Sequence, residues 1–185
     1  MSAKPFTAGH DSIIQMAASE CDEVLVFVSL ADRRRPGEFP IMGTDMATIW
    51  RELVEPGLPT NVTIEYASNP MARIWATLGA ANESGSPDSF AIYGDERDTA
   101  ARFGPAALAK YASGLQASGR ISFRTPPRIT SGTEMRKALA DGDLDAFRAG
   151  MPAWLDADRA WQVLRAHRTN EELLRSFVRR SIARA

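Results

Sequence analysis

Apolar positions along the chain alternate between two spacings. From Gly9 to Cys21, the residues Ile13, Ile14, Met16 and Ala17 recur on one helical face. The pattern then changes to the unbroken run Val24-Leu25-Val26-Phe27-Val28, between Glu23 and Ser29, which predicts a buried strand. A charged loop follows, Asp32-Arg33-Arg34-Arg35-Pro36-Gly37-Glu38, and then a helix from about Thr44 to Val54 with Met46, Ile49, Trp50 and Leu53 on one face. The alternation continues with a strand at Val62 to Tyr66, a helix opened by Pro70 and running to about Ala81, and a strand at Ser89 to Tyr93 that ends on Gly94-Asp95. A helix near Pro105 to Leu115, a strand from Arg120 to Arg124, and a helix from Ser131 to about Ala140 complete the series. Asn82 to Pro87 reads as the loose linker, and beyond Gly150-Met151-Pro152 the pattern is helical only, as one or two helices over Leu155 to Ala185.

Strands that alternate with helices at this interval predict a parallel sheet covered on both faces, because parallel neighbours need a crossover of a dozen or more residues. The expected class is therefore α/β with a doubly wound parallel sheet, carried by residues 1–150, and a C-terminal helical extension over 151–185. In such sheets ligands sit beyond the carboxyl ends of the strands, so the loops that follow strands are where chemistry is sought. The helix at residue 9 should itself follow a central strand, yet only Met1 to Lys4 precede Pro5. We expect an abbreviated central strand, with native chain upstream of Met1.

Composition narrows the function classes. The 185 residues suit one domain with a small appendage, and 44% hydrophobic with 24% charged residues is ordinary for a globular protein. A net charge of -1 gives no global attraction to nucleic acid, so a nucleic-acid partner is not expected. Cys21 is the only cysteine, which leaves no intramolecular disulfide and no cysteine-based zinc cluster, and fits a reducing cytoplasm. The run Val24 to Val28 is too short to span a bilayer, so the expectation is a cytoplasmic protein without a membrane partner. No Gly-rich loop ending in Lys-Ser or Lys-Thr occurs, which argues against a P-loop enzyme.

Two short segments carry the candidate chemistry. Thr7-Ala8-Gly9-His10 and Ser131-Gly132-Thr133-Glu134-Met135-Arg136 each set a turn, a hydroxyl and a basic side chain at a helix start, where backbone N–H groups attract phosphate. Together they point to one pocket that grips a nucleoside triphosphate from two sides. Taken alone, His10 is equally a capping or core histidine, and Ser131 an ordinary helix cap.

At these residues the chain resembles the nucleotidyltransferase superfamily that carries a His-or-Thr-x-Gly-His motif early and an Ile-Ser-x-Thr-x-x-Arg motif late, including members encoded by phages. Thr130 stands where Ile is usual and Gly132 where Ser is frequent, and Gly142-Asp143-Leu144-Asp145-Ala146-Phe147 resembles the short helical segment that commonly follows. The resemblance implies a Rossmann-like fold and transfer of a nucleoside monophosphate unit, AMP or CMP, to a small phosphorylated acceptor with release of pyrophosphate. It implies catalytic roles for His10 and Arg136, and nucleotide contacts from Thr7, Gly9, His10, Ser131, Gly132, Thr133 and Arg136. Gly94, Asp95 and Arg97 resemble the stretch that lines base and ribose, although a plain strand-to-helix turn reads the same way. Arg33, Arg34 and Arg35 stand where relatives place basic residues against the acceptor phosphate; a solvated charge run is the equal alternative. Mg2+ would arrive with the triphosphate, keeping its waters, and no protein metal ligands are expected.

Two other functions fit the same residues: a non-catalytic nucleotide-binding or structural module that keeps the pocket, and an adenylyltransferase of cofactor synthesis acting on pantetheine phosphate or nicotinamide mononucleotide. Trp50, Trp75, Trp154 and Trp161 read as packing residues. The basic C-terminal stretch, with His167 and Arg165, Arg168, Arg175 and Arg179 beside Leu173, Leu174 and Phe177, reads as an interaction helix for a homo-oligomer.

Overall fold

This computed structural model of the chain describes residues 3–127 and 129–166, apart from the side chains of Arg97 and Asp98. In chain order the elements are α1 (Ala8–Glu20), β1 (Val24–Ser29), α2 (Gly43–Ile49), a π-helical turn (Trp50–Val54), a 3-10 turn (Glu55–Gly57), β2 (Val62–Ala67), α3 (Pro70–Ser84), β3 (Phe90–Tyr93), α4 (Glu96–Arg102), α5 (Pro105–Tyr111), α6 (Ser113–Ala117), β4 (Ile121–Arg124), α7 (Gly132–Asp141) and α8 (Leu144–Ala149). Residues 157–166 are also helical. The chain divides into two compact units. The first takes Gly9–Ser29 and Pro59–Ile129, and the second takes Lys4–Ala8, Leu30–Leu58 and the chain from Thr130 onward.

In the first unit the strands pair in parallel, β1 with β2 in the register Val24↔Val62 to Ser29↔Ala67, and β3 with β4 from Phe90↔Ile121 to Tyr93↔Arg124. The α/β class and the parallel pairing are as expected, but the strands form two separate two-stranded sheets. The expectation of strands buried on both faces holds only for part of β1. Val26, Phe27 and Val28 are consecutive buried residues, whereas Leu25 is exposed and the residues of β3 are all half-buried. Of Met1 to Lys4, where the abbreviated first strand was expected, Ala3 and Lys4 are described, and both are buried but not assigned to a strand.

Side chains at the ends of elements explain several boundaries in this unit. Asn61 Nδ2 donates to the carbonyls of Ala18 and Cys21 at 3.0 and 2.9 Å, and so satisfies acceptors that the last turn of α1 leaves open. Asn69 caps α3 by accepting from Ala72 N at 3.1 Å, with Pro70 next, and α3 closes on Gly85 at φ 65°. Asn82 corrects the reading of a loose linker: it belongs to α3, and its Oδ1 accepts from Gly114 N and Leu115 N at 2.7 and 3.2 Å, capping α6. That cap accompanies a break at Ala112, which splits the expected single helix into α5 and α6. Around Leu78, Phe103, Ala112 and Leu115 the core gathers Ile74, Trp75, Phe90 and Ile121, so Trp75 packs as expected.

The second unit is helical. Its core includes Phe6, Ile41, Met46, Ile49, Trp50, Met135, Leu139, Phe147 and Leu164, each almost wholly buried. Phe6 meets the Trp50 ring edge-on at 4.9 Å between centroids, and Phe147 meets Trp161 at 5.2 Å. Trp154 is less covered, with part of its ring over Gly57, where a Cβ would come within 2.5 Å of it. α2 can start at Gly43 because Asp32 Oδ1 accepts its N–H at 2.9 Å, and because a Cβ there would strike the Leu30 carbonyl. The expected helix to Val54 widens instead to a π turn at Trp50, and Pro56 ends its regular hydrogen bonding. The basic and apolar residues expected to form the interaction helix, from His167 on, lie outside the described residues.

Candidate functional site

The second unit assembles a cationic cluster from three stretches of chain. α7 opens on a capping box, in which Ser131 Oγ accepts from Glu134 N at 3.2 Å and Glu134 Oε2 accepts from Ser131 N at 2.7 Å. The helix then buries Met135, Ala138 and Leu139 on one face, and Arg136 is carried inward beside them. Its side chain is only 7% exposed. Arg136 Nη1 donates to the Lys4 carbonyl at 2.8 Å and Nη2 donates to Thr133 Oγ1 at 2.9 Å. Nε lies 2.9 Å from Glu38 Oε2, an ion pair by distance whose N–H is not aligned for a hydrogen bond. Gly132 fits this geometry: a Cβ there would lie 3.0 Å from Arg136 Nη1 and 3.2 Å from the Lys4 carbonyl oxygen. A serine at that position would crowd the contact.

Glu38 ties the arginine run to Arg136. Arg33 takes the carboxylate in a fork, Nε to Oε2 at 2.8 Å and Nη2 to Oε1 at 3.1 Å. The turn between them is closed by Arg33 N to Ile41 O and Ile41 N to Arg33 O at 2.8 and 3.0 Å, with Gly37 in the left-handed region at φ 77°. The Arg33 hydrogen bonds hold the Glu38 carboxyl below its usual range, and the charges of Arg136, Arg33 and Arg35 act in the same direction against burial. Burial pushes the Arg136 pKa down, aided by Arg33 and opposed by Glu38, yet a guanidinium stays charged. Lys4 is buried too. Its ammonium donates to the Ala31 carbonyl, and burial lowers its pKa while Asp32 raises it. Arg34 stands apart, 61% exposed and 3.4 Å from Asp32.

The remaining candidates lie in the first unit, apart from Thr7, which is fully buried in the second. Gly9 and His10 occupy the first turn of α1. His10 is half-buried, and burial pushes its pKa down to about 4, so the imidazole is neutral at pH 7. Gly94 and Asp95 follow β3, with Gly94 N donating to Arg124 O at 3.1 Å and Asp95 O accepting from Thr99 N at 2.8 Å. Arg97 is on α4, and its side chain is outside the described residues.

The structure therefore brings Arg33, Thr133 and Arg136 together, with Gly132 beneath them, and places Gly9, His10, Gly94 and Asp95 in the other unit. Two participants escape a reading of the sequence. Glu38 looked like one more charge in a loop, though its position five residues after Arg33 across Pro36-Gly37 was the available signal. Lys4 contributes through its carbonyl, which side-chain chemistry does not advertise. Among the described residues no group of three or more His, Cys, Asp or Glu is placed to hold a metal ion, and no helix is long and apolar enough to cross a membrane.

Residues 1–41 match the protein family described as the citrate lyase ligase C-terminal domain. The matched stretch contains Thr7-Ala8-Gly9-His10, α1, β1 and the Arg33 to Glu38 turn, so the beginning of the chain is similar to part of a ligase domain, an enzyme family. Among curated proteins none matches the chain.

Proposed function

We propose that the protein is a cytoplasmic nucleotidyltransferase that moves an AMP or CMP unit from a nucleoside triphosphate to a small phosphorylated acceptor and releases pyrophosphate. The observation that carries this reading is Arg136: a guanidinium buried on a helix, with fixed hydrogen bonds and an ion pair, has the position and permanent charge that a phosphate chain requires. The match of the first 41 residues to a ligase domain supports it, since it covers the Thr7-Ala8-Gly9-His10 motif. In this reading residues 1–150 carry the nucleotidyltransferase α/β fold, and residues 151–185 form an extension.

The acceptor oxygen attacks the α-phosphorus, the new P–O bond forms as the bond to the leaving pyrophosphate breaks, and the chain supplies position and countercharge. His10 donates a neutral hydrogen bond to the triphosphate, with Gly9 giving close backbone approach and Thr7 a hydroxyl. Arg136, Ser131, Gly132 and Thr133 hold the β- and γ-phosphates, while Gly94, Asp95 and Arg97 line base and ribose. Arg34 and Arg35 face the acceptor phosphate, together with Arg33. The cluster offers donors, so it suits phosphate oxygens rather than a metal. Mg2+, bound by the triphosphate itself, would neutralise part of its charge.

The match of residues 1–41 to a ligase domain favours a second reading, in which the nucleotidylated acceptor is attacked by another nucleophile and the monophosphate leaves. Pyrophosphate release, measured with each of four ribonucleoside triphosphates against a panel of phosphorylated and carboxylate acceptors, tests both. A stable nucleotidylated phosphate is the expected product. Free monophosphate would favour the ligase cycle, and binding without pyrophosphate release from any pair would leave a non-catalytic nucleotide-binding module.

A further inference from the structure

Arg33 and Arg136 already share an anion, and it belongs to the protein. Glu38 is held by Arg33 in a two-bond fork and stands 2.9 Å from Arg136 Nε. It is 28% exposed where the Arg136 side chain is 7% exposed, so the carboxylate is the more accessible partner of a nearly buried guanidinium. Two guanidiniums facing one another without an anion would repel, and a buried one without a countercharge is costly. A carboxylate offers a guanidinium fork two oxygens, as a phosphate does, but it carries a single negative charge.

We propose that Glu38 is an internal phosphate surrogate, a built-in competitor that occupies Arg33 and Arg136 in the free protein and is displaced by the phosphate groups of the substrate. The inference rests on the reading of Arg136 as a phosphate-binding residue. Its consequence is selectivity by charge. A ligand with one negative charge gains nothing over the resident carboxylate, whereas a polyphosphate does, so the site discriminates against single anions and favours polyphosphate chains. The turn that carries Glu38 suits such an exchange: it is a short loop closed at its base by the Arg33–Ile41 hydrogen bonds, with a glycine at its bend. The groups that contact the carboxylate are Arg33 and Arg136, and the charge of Arg35 also acts on it.

The test uses inorganic pyrophosphate as an unreactive probe and the full chain, with affinity read by calorimetry. Glu38→Gln is expected to tighten pyrophosphate binding about five- to tenfold and to reduce the preference for pyrophosphate over sulfate, the scale of one partly exposed charge contact. Unchanged or weaker binding in folded Glu38→Gln would overturn the surrogate role while leaving Arg136 as a phosphate ligand. Unchanged binding in Arg136→Gln would instead remove the reading beneath it, and with it the proposal. A measurement on the wild type covers a poorly folded variant: the Glu38 carboxyl, followed by NMR, should return toward its ordinary pKa when pyrophosphate saturates the protein. No movement on saturation would contradict displacement.

Discussion

Arg136 in the second unit and His10 in the first are both basic groups set on the opening turns of helices, and burial acts on both in the same sense. Their outcomes differ. The imidazole yields and is neutral above about pH 4, while the guanidinium keeps its charge beside Glu38. The two residues that the sequence treats as a matched pair are therefore unlike donors, one a permanent cation with a resident anion and the other an uncharged N–H whose charging is costly.

The largest expected effect breaks the arginine side of that contrast. Arg136→Lys keeps the charge but loses the planar fork that serves Lys4 O, Thr133 and Glu38 together, so pyrophosphate release should fall about a hundredfold or more, as steady-state kinetics would register. Wild-type rates in the lysine variant would show that charge alone matters.

Acid should expose the histidine side. With a folded pKa of about 4 against an ordinary 6.5, His10 contributes stability that is fully present above pH 6.5 and is lost as pH falls toward 4, by up to about 3 kcal/mol. Glu38, whose pKa is lowered from 4.5, also loses its contribution in acid, but only below that value. Denaturant unfolding followed from pH 7 to 4 should therefore show a steep decline in the wild type that His10→Gln flattens. Parallel curves for the two proteins would mean that the ring is hydrated.

A smaller change sharpens the packing under Arg136. Gly132→Ala puts a methyl against the Lys4 carbonyl and should cost about 1–2 kcal/mol in thermal unfolding. Smaller again, Ser131→Ala removes the capping-box acceptor for about 1 kcal/mol.

Local rules made much of this legible. The runs Val24 to Val28 and Val62 to Tyr66 became paired strands, Ser131 became the cap of α7, and Gly142 and Asp143 close one helix and open the next, as the motif-like segment suggested. What escaped involved partners distant in sequence. Asn82 looks like linker composition until Gly114 and Leu115 bring their N–H groups to it, and Ala112 carries no mark of the break it makes. Glu38 was hidden for the same reason, since half of its environment comes from a helix almost a hundred residues later. The separation of four strands into two pairs was not readable from period alone, because apolar alternation says that a strand is covered and not which strand lies beside it.

The most direct measurement is pyrophosphate release by His10→Ala and Arg136→Ala, both checked for wild-type circular dichroism. Each variant is predicted to turn over at least about a hundredfold more slowly than the wild type, the scale of one lost transition-state donor. An unchanged rate in folded His10→Ala would contradict a catalytic role for the neutral imidazole.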